Sequence, residues 1–167
     1  MIFSVGKIRY EVRHELDTTS DHEVMIIKRL QRAPEGDIVI PYRVTHDNIT
    51  YTVTAIGFEA FENCIDVTSV TIPNSVSSIR DFAFYDCKNL FSLTITNPNT
   101  YLSVCPFIGT PFGSVYNKLK REDFVKFLNE KDKFKYVENG FLNLEDIEFL
   151  LDKTEYTGFM NGNEYGI

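Results

Sequence analysis

The sequence predicts an α+β protein: a short solenoid of stacked β rungs, about two full repeats plus one degenerate, between an N-terminal antiparallel β cap and a C-terminal helical cap. Three observations predict it. Residues 52–74 and 75–97 are two copies of one pattern, and the pairs Val53/Val76, Ile56/Ile79, Ala60/Ala83, Phe61/Phe84, Cys64/Cys87, Val67/Leu90, Val70/Leu93 and Ile72/Ile95 all differ by 23. So many apolar coincidences at one offset, with a period between about 20 and 50 residues, mark a stacked repeat. The chain ahead of the copies alternates like β-strands, and the chain after them turns to charges and helix formers. Two repeats alone would leave apolar end faces in water, so the flanking parts read as caps.

The elements follow in order. In the cap, residues 1–35, Ile2 and Ser4 and then Ile8, Tyr10 and Val12 alternate around Val5-Gly6-Lys7, two strands joined by a tight turn. Glu23 to Leu30 supplies a third strand beyond a polar loop at Asp17 to Asp21. The repeat core spans residues 36–113. Ile38-Val39-Ile40-Pro41 resembles Val70-Thr71-Ile72-Pro73 at an offset of 32, which is 23 plus an insertion of 9. That insertion reads as a protruding hairpin near residues 42–54, with His46-Asp47-Asn48 as its loop. Ser69 to Ile72 and Ser92 to Ile95 are the rung strands, with Val70 and Ile72 inward and Ser69 and Thr71 outward by the period of two. The Ala-Phe segments, Phe58 to Asn63 and Asp81 to Asp86, read as helical or 3₁₀ turns. Leu102 and Phe107 keep the 23-residue spacing, but Thr110 stands where a third Cys would be, so the last repeat is degenerate.

The helical cap covers residues 114–153. Phe124, Val125, Phe127 and Leu128 form the apolar face of its first helix. Asn143 is the N-cap of its second, with Leu144, Ile147, Leu150 and Leu151 at helical spacing and Glu145 and Asp146 in the first turn. Residues 154–167 read as an irregular tail.

Composition excludes several functions. The formal charge of −7 and pI near 5.0 argue against a nucleic-acid backbone or an anionic membrane as partner. No apolar run reaches the roughly 18 residues that would cross a bilayer, so no membrane insertion is expected. The first residues lack the apolar stretch of a secretory signal; the expected location is cytoplasmic if Met1 is the native start, and secreted or cell surface if a leader was removed. Cys64, Cys87 and Cys105 have no metal-ligand spacing, and the first two should stack as small buried hydrophobes. No phosphate loop, zinc helix or nucleophile elbow occurs. The pairs Asp21-His22 and His46-Asp47 should point to opposite sides of an extended chain and not converge. The expectation is therefore no enzyme activity, no cofactor and no metal.

The AIGFEAFENC and TSVTIPNSVSSI sequences, with FAFYDC one period on, resemble the BspA-like leucine-rich repeat family, abundant in surface and secreted proteins of gut and oral Bacteroidales and in some parasitic protists. The resemblance covers residues 36–97 and reaches weakly to 113. It implies a right-handed solenoid of short parallel strands that binds proteins or host matrix. The chain departs from the family in its short array, in showing no visible leader, and in Arg80, which replaces the Gly found after the Ile in most repeats and retained at Gly57.

The expected partner is a protein, bound by the strand-face hydroxyls Ser69, Thr71, Ser92 and Thr94 with help from the hairpin residues Tyr42, His46 and Tyr51. Exposed Ser and Thr are also good strand formers that need no ligand, and both readings stand at this point. The charge, the size and the lack of a visible signal suggest an alternative, a small acidic inhibitor or immunity-type protein that neutralises a basic partner inside the cell. Glu145, Asp146, Glu148 and Asp152 form an acidic helix face that reads either as a docking surface for a basic protein or as a solvated helix exterior.

Overall fold

The computed structural model describes residues 1–13, 22–29, 33–119, 124, 125, 127 and 128. They form two sheets. The larger contains β1 (Ile2–Val5), β2 (Ile8–Arg13), β3 (Glu23–Ile27), β5 (Arg43–His46), β6 (Ile49–Ile56), β8 (Ser78–Ile79) and β10 (Tyr101–Leu102). Its order is β1-β2-β3-β6-β8-β10, with β5 paired to β6. The smaller, β4-β7-β9, contains β4 (Gly36–Val39), β7 (Val67–Ile72) and β9 (Ser92–Ile95). One short helix, α1 (Gly113–Lys118), follows.

Strand register reproduces the repeat. Ala55 pairs with Ser78 and Ser78 with Tyr101, while Ile56, Ile79 and Leu102 line up beside them. In the small sheet Ser69 pairs with Ser92 and Ile72 with Ile95, and Ile38 and Val39 of β4 pair with Val70 and Thr71. All these strands are parallel, as stacked rungs require. The pairing of β4 places the nine-residue insertion after the first small-sheet strand.

Three expectations change. First, β3 is more than a cap strand: it runs antiparallel to β2 but parallel to β6, with Val24 opposite Val53 and Ile26 opposite Ile56. Together β3 and β4 make a rung ahead of the first repeat, and only the β1–β2 hairpin lies outside it. Second, the inserted hairpin does not protrude. Its turn is the two residues Asp47 and Asn48, at φ 48° and 63°, the left-handed pair that a two-residue hairpin needs. β6 then continues into the large sheet, and Phe3 of β1 stacks flat on His46 of β5 with ring centroids 4.3 Å apart.

Third, the Ala-Phe segments are not helical. Amides of Ala60, Glu62 and Cys64 bond three residues back, and those of Ala83, Tyr85 and Cys87 repeat this one rung later. Between them Glu59, Asn63, Phe82 and Asp86 have φ of 53–55°, and Gly109 has φ 75°. These left-handed residues break any helix and swing alternate amides along the stack. The amides of Phe61 and Asn63 bond the carbonyls of Ala83 and Tyr85 at 2.7 and 2.8 Å, and those of Phe84 and Asp86 bond Pro106 and Ile108, both at 2.9 Å. The turns are thus a third hydrogen-bonded wall.

The core lies between the walls. Phe61, Phe84 and Phe107 stack in a column at 5.2 and 5.7 Å. Cys64 and Cys87 are buried beside it, and the Cys87 thiol donates to the Phe61 carbonyl at 3.0 Å. In the last rung the hydroxyl of Thr110 bonds the Phe107 carbonyl of its own turn at 2.7 Å. One period after β9 the chain forms α1 where a fourth small-sheet strand would stand. Tyr116 of α1 and Phe124 then cover Phe107 at 5.4 and 5.3 Å. The apolar face expected of the first cap helix is buried, since Phe124, Val125, Phe127 and Leu128 all belong to the core. The second cap helix, the tail and the Asp17–Asp21 loop lie outside the described residues. At the other end Lys28 pairs with Glu59, at 2.6 Å, and with Glu62, and Arg29 donates to the Glu62 carbonyl at 2.7 Å.

Gly57 and Gly109 are required by close approach. A Cβ on Gly57 would lie 2.7 Å from the Ile26 carbonyl oxygen, and one on Gly109 would overlap Asp86. Gly6, at φ 59°, has open space around it. Gly109→Ala should therefore cost about 2–3 kcal/mol, and Gly6→Ala only about 1 kcal/mol from its left-handed backbone. At roughly 2–4 °C per kcal/mol for a chain of this size, thermal melts separate the two. Equal shifts would refute the close stacking of the last two turns.

Candidate functional site

The outward face of the small sheet is built by alternation. Ile38, Val70 and Leu93 lie in one inward row, so their neighbours face out in two rows, Asp37–Ser69–Ser92 and Val39–Thr71–Thr94. A register shift between Gly36 and Asp37 leaves Thr68 as an extra residue. This bulge lets both Val67 and Val70 reach the core, although they are three residues apart.

The four hydroxyl residues expected from the sequence do share one face, with Thr71 exposed and the other three half-buried. The hairpin residues do not join them, since β5 and β6 belong to the other sheet. Tyr42 is 51% exposed, with the Arg43 guanidinium 5.2 Å above its ring. His46 is half-buried against Phe3, and its Nε2 lies 3.4 Å from the Asp47 carboxylate. This pair does converge, because Asp47 begins the left-handed turn and alternation ends there. Tyr51 is only 2% exposed and packs on Phe3 at 5.3 Å, so it presents no surface to a partner. The period of two that buries Val53 also buries Tyr51. The acidic residues from Glu145 to Asp152 lie outside the described residues.

Sequence reasoning missed Asp37 and Val39. Val39 is 71% exposed in the row of Thr71. Asp37 accepts from the Ser69 hydroxyl at 2.6 Å and the Thr68 hydroxyl at 3.1 Å. These two bonds hold its carboxyl below the usual carboxylate range, with Ser69 the larger cause. The signal was available: matching Ile38-Val39-Ile40 to Val70-Thr71-Ile72 places Asp37 in the row of Ser69. Among the described residues no group of three or more His, Cys, Asp or Glu could hold a metal ion, and no helix is long and apolar enough to cross a membrane.

Because the folded state lowers the carboxyl, its contribution to stability is present above the ordinary Asp value of about 3.9 and is lost as pH falls through the folded value. A carboxyl ¹³C titration should place Asp37 below that ordinary value. Ser69→Ala should raise it most of the way back and Thr68→Val less. An unchanged midpoint in Ser69→Ala would show that the hydroxyl does not hold the carboxylate.

Comparison with known proteins gives a consistent result. The sequence profile described as BspA type leucine rich repeat region (6 copies) matches residues 42–116. A leucine rich cell surface protein from Faecalibacterium prausnitzii A2-165 is 29% identical with a TM-score of 0.51, over 65% of this chain and 28% of that one. Leucine-rich repeat proteins from Bacteroides ovatus and Bacteroides capillosus are 26% and 31% identical, with TM-scores of 0.47 and 0.46. The match covers 65% of this chain and 33% of the first of these, and 60% and 70% for the second. The chain thus spans a third or less of the first two relatives. No curated protein matches it. The matched segment contains the repeated turns, the Phe column and the paired strands, and residues 42–116 of this chain belong to the BspA type leucine-rich repeat family.

Proposed function

We propose that this chain is a non-enzymatic protein-interaction module whose small-sheet face binds a protein partner. The observation that carries the reading is the pair of outward rows, Asp37–Ser69–Ser92 and Val39–Thr71–Thr94, in parallel register over a rigid apolar core. Such a face offers hydroxyls and small apolar groups at fixed spacing, with little side-chain entropy to lose on contact. Family membership supports it, since repeat stacks present extended contact surfaces, and a similar solved protein is described as a cell surface protein. Tyr42 remains an accessory contact on the hairpin side. A host or matrix protein is the partner class that the family suggests.

The test is affinity capture from the source cells and their surroundings, with wild type and Thr71→Arg compared side by side. Thr71 is exposed, so the substitution should leave the melting temperature within about 1 °C, an effect of at most ~0.5 kcal/mol. The captured protein should fall at least roughly tenfold, about 1.4 kcal/mol of binding. Undiminished capture by a stably folded variant would remove the strand face from the account.

A further inference from the structure

We infer that the small-sheet face recognises an extended, cationic protein segment, with an arginine or lysine of the partner seated on Asp37. The inference rests on the strand-face reading and adds the chemistry of the partner. β4, β7 and β9 together contain one charged residue, Asp37; every other outward position on them is Ser, Thr or Val. A single charge in a neutral field sets which partner charge is attracted and where it sits, so it governs register and selectivity more than raw affinity.

The carboxylate is arranged for that role. Both hydroxyl bonds, from Ser69 at 2.6 Å and Thr68 at 3.1 Å, fall on Oδ1, and they fix the group in place. No cation lies against it among the described residues. Its solvent-exposed position lets a guanidinium or ammonium approach without first breaking an internal ion pair. Val39, which is 71% exposed, and the Thr71 methyl in the next row give apolar surface on which the stem of a long basic side chain can lie. An acidic segment would meet Asp37 with repulsion and gain no compensating donor, because Ser69 and Thr68 already give their protons to it. A nucleic-acid backbone is disfavoured for the same reason, and by the net charge of −7.

The test uses the whole chain and two libraries of seven-residue peptides with random flanks, one with arginine at the centre and one with citrulline, its neutral isostere. Binding is followed by ¹⁵N shift mapping of the Asp37, Ser69, Thr71 and Ser92 amides. The arginine library should bind this face roughly three- to tenfold more tightly than the citrulline library, in the range of a partly exposed charge-assisted hydrogen bond. Asp37→Asn, which keeps an acceptor for Ser69 but gives up the charge of that hydrogen bond, should abolish the difference while the chain still melts cooperatively with only a small fall in melting temperature. Equal binding of both libraries at the mapped amides would overturn the cationic inference while leaving the strand-face reading in place. Shifts confined to other surfaces would overturn both. An arginine preference that survives in Asp37→Asn would place the charge recognition elsewhere and overturn this assignment.

Discussion

The structure depends on backbone hydrogen bonding between successive rungs on every wall. Stacking the rungs removes their facing amides and carbonyls from water, and each such group left unpaired would cost about as much as a lost hydrogen bond. Here β4-β7-β9 and β3-β6-β8-β10 satisfy two walls as parallel strands, and the third is closed by turns. That third wall is the costly one, because Glu59, Asn63, Phe82 and Asp86 adopt left-handed backbone without being glycine. Each such residue costs about 1–2 kcal/mol. Each inter-rung amide bond returns about 1 kcal/mol, and the aligned Phe61–Phe84–Phe107 rings add about 0.5–1.5 kcal/mol per pair beyond burial itself. The local strain is therefore offset only when neighbouring rungs are present, which couples the stability of each rung to the next.

The ends of the stack are treated unequally. The β1–β2 hairpin covers the first edge of the large sheet, and Lys28 and Arg29 fasten the rung below it to the first turn segment. The small sheet begins with the four-residue β4, which lies between Pro34 and Pro41. Prolines beside a short edge strand, with a charge on it, discourage the addition of another chain edge to edge. Asp37 thus has two consequences: it blunts the edge, and it sets the charge of the outward face. At the far end Thr110 turns its hydroxyl bond back within its own rung, and α1 replaces the next strand, so Phe107 is covered by Tyr116 and Phe124.

Much of this was readable from residue spacing. Side-chain identity at a 23-residue offset gave the inward rows, because a period shared by two copies reports which positions meet the same neighbours. It also gave the hairpin and the rung at Ile38 to Ile40. The left-handed turns were not readable: Glu59 and Phe82 are poor residues for that conformation, and only the inter-rung bonds impose it. The double role of β3 depends on pairing partners far apart in sequence. Tyr51 could have been placed inside from its spacing to Val53, yet it was expected beside Tyr42 and His46 as a partner-binding residue of the hairpin. The offset of 32 that aligns Ile38 with Val70 also aligns Asp37 with Ser69, so the one charge on the face was readable once that alignment was extended by one residue.

The most direct measurement of the central claim is amide hydrogen exchange in the native protein, residue by residue. If the turns are a full hydrogen-bonded wall, the amides of Phe61, Asn63, Phe84 and Asp86 will exchange as slowly as those of Arg80, Ser103 and Thr96, which bond Ile56, Ile79 and Ile72 across the two sheets. Exchange at the four turn amides that is orders of magnitude faster, while the sheet amides stay protected, would show that the turns are ordinary surface loops and that two walls alone carry the stack.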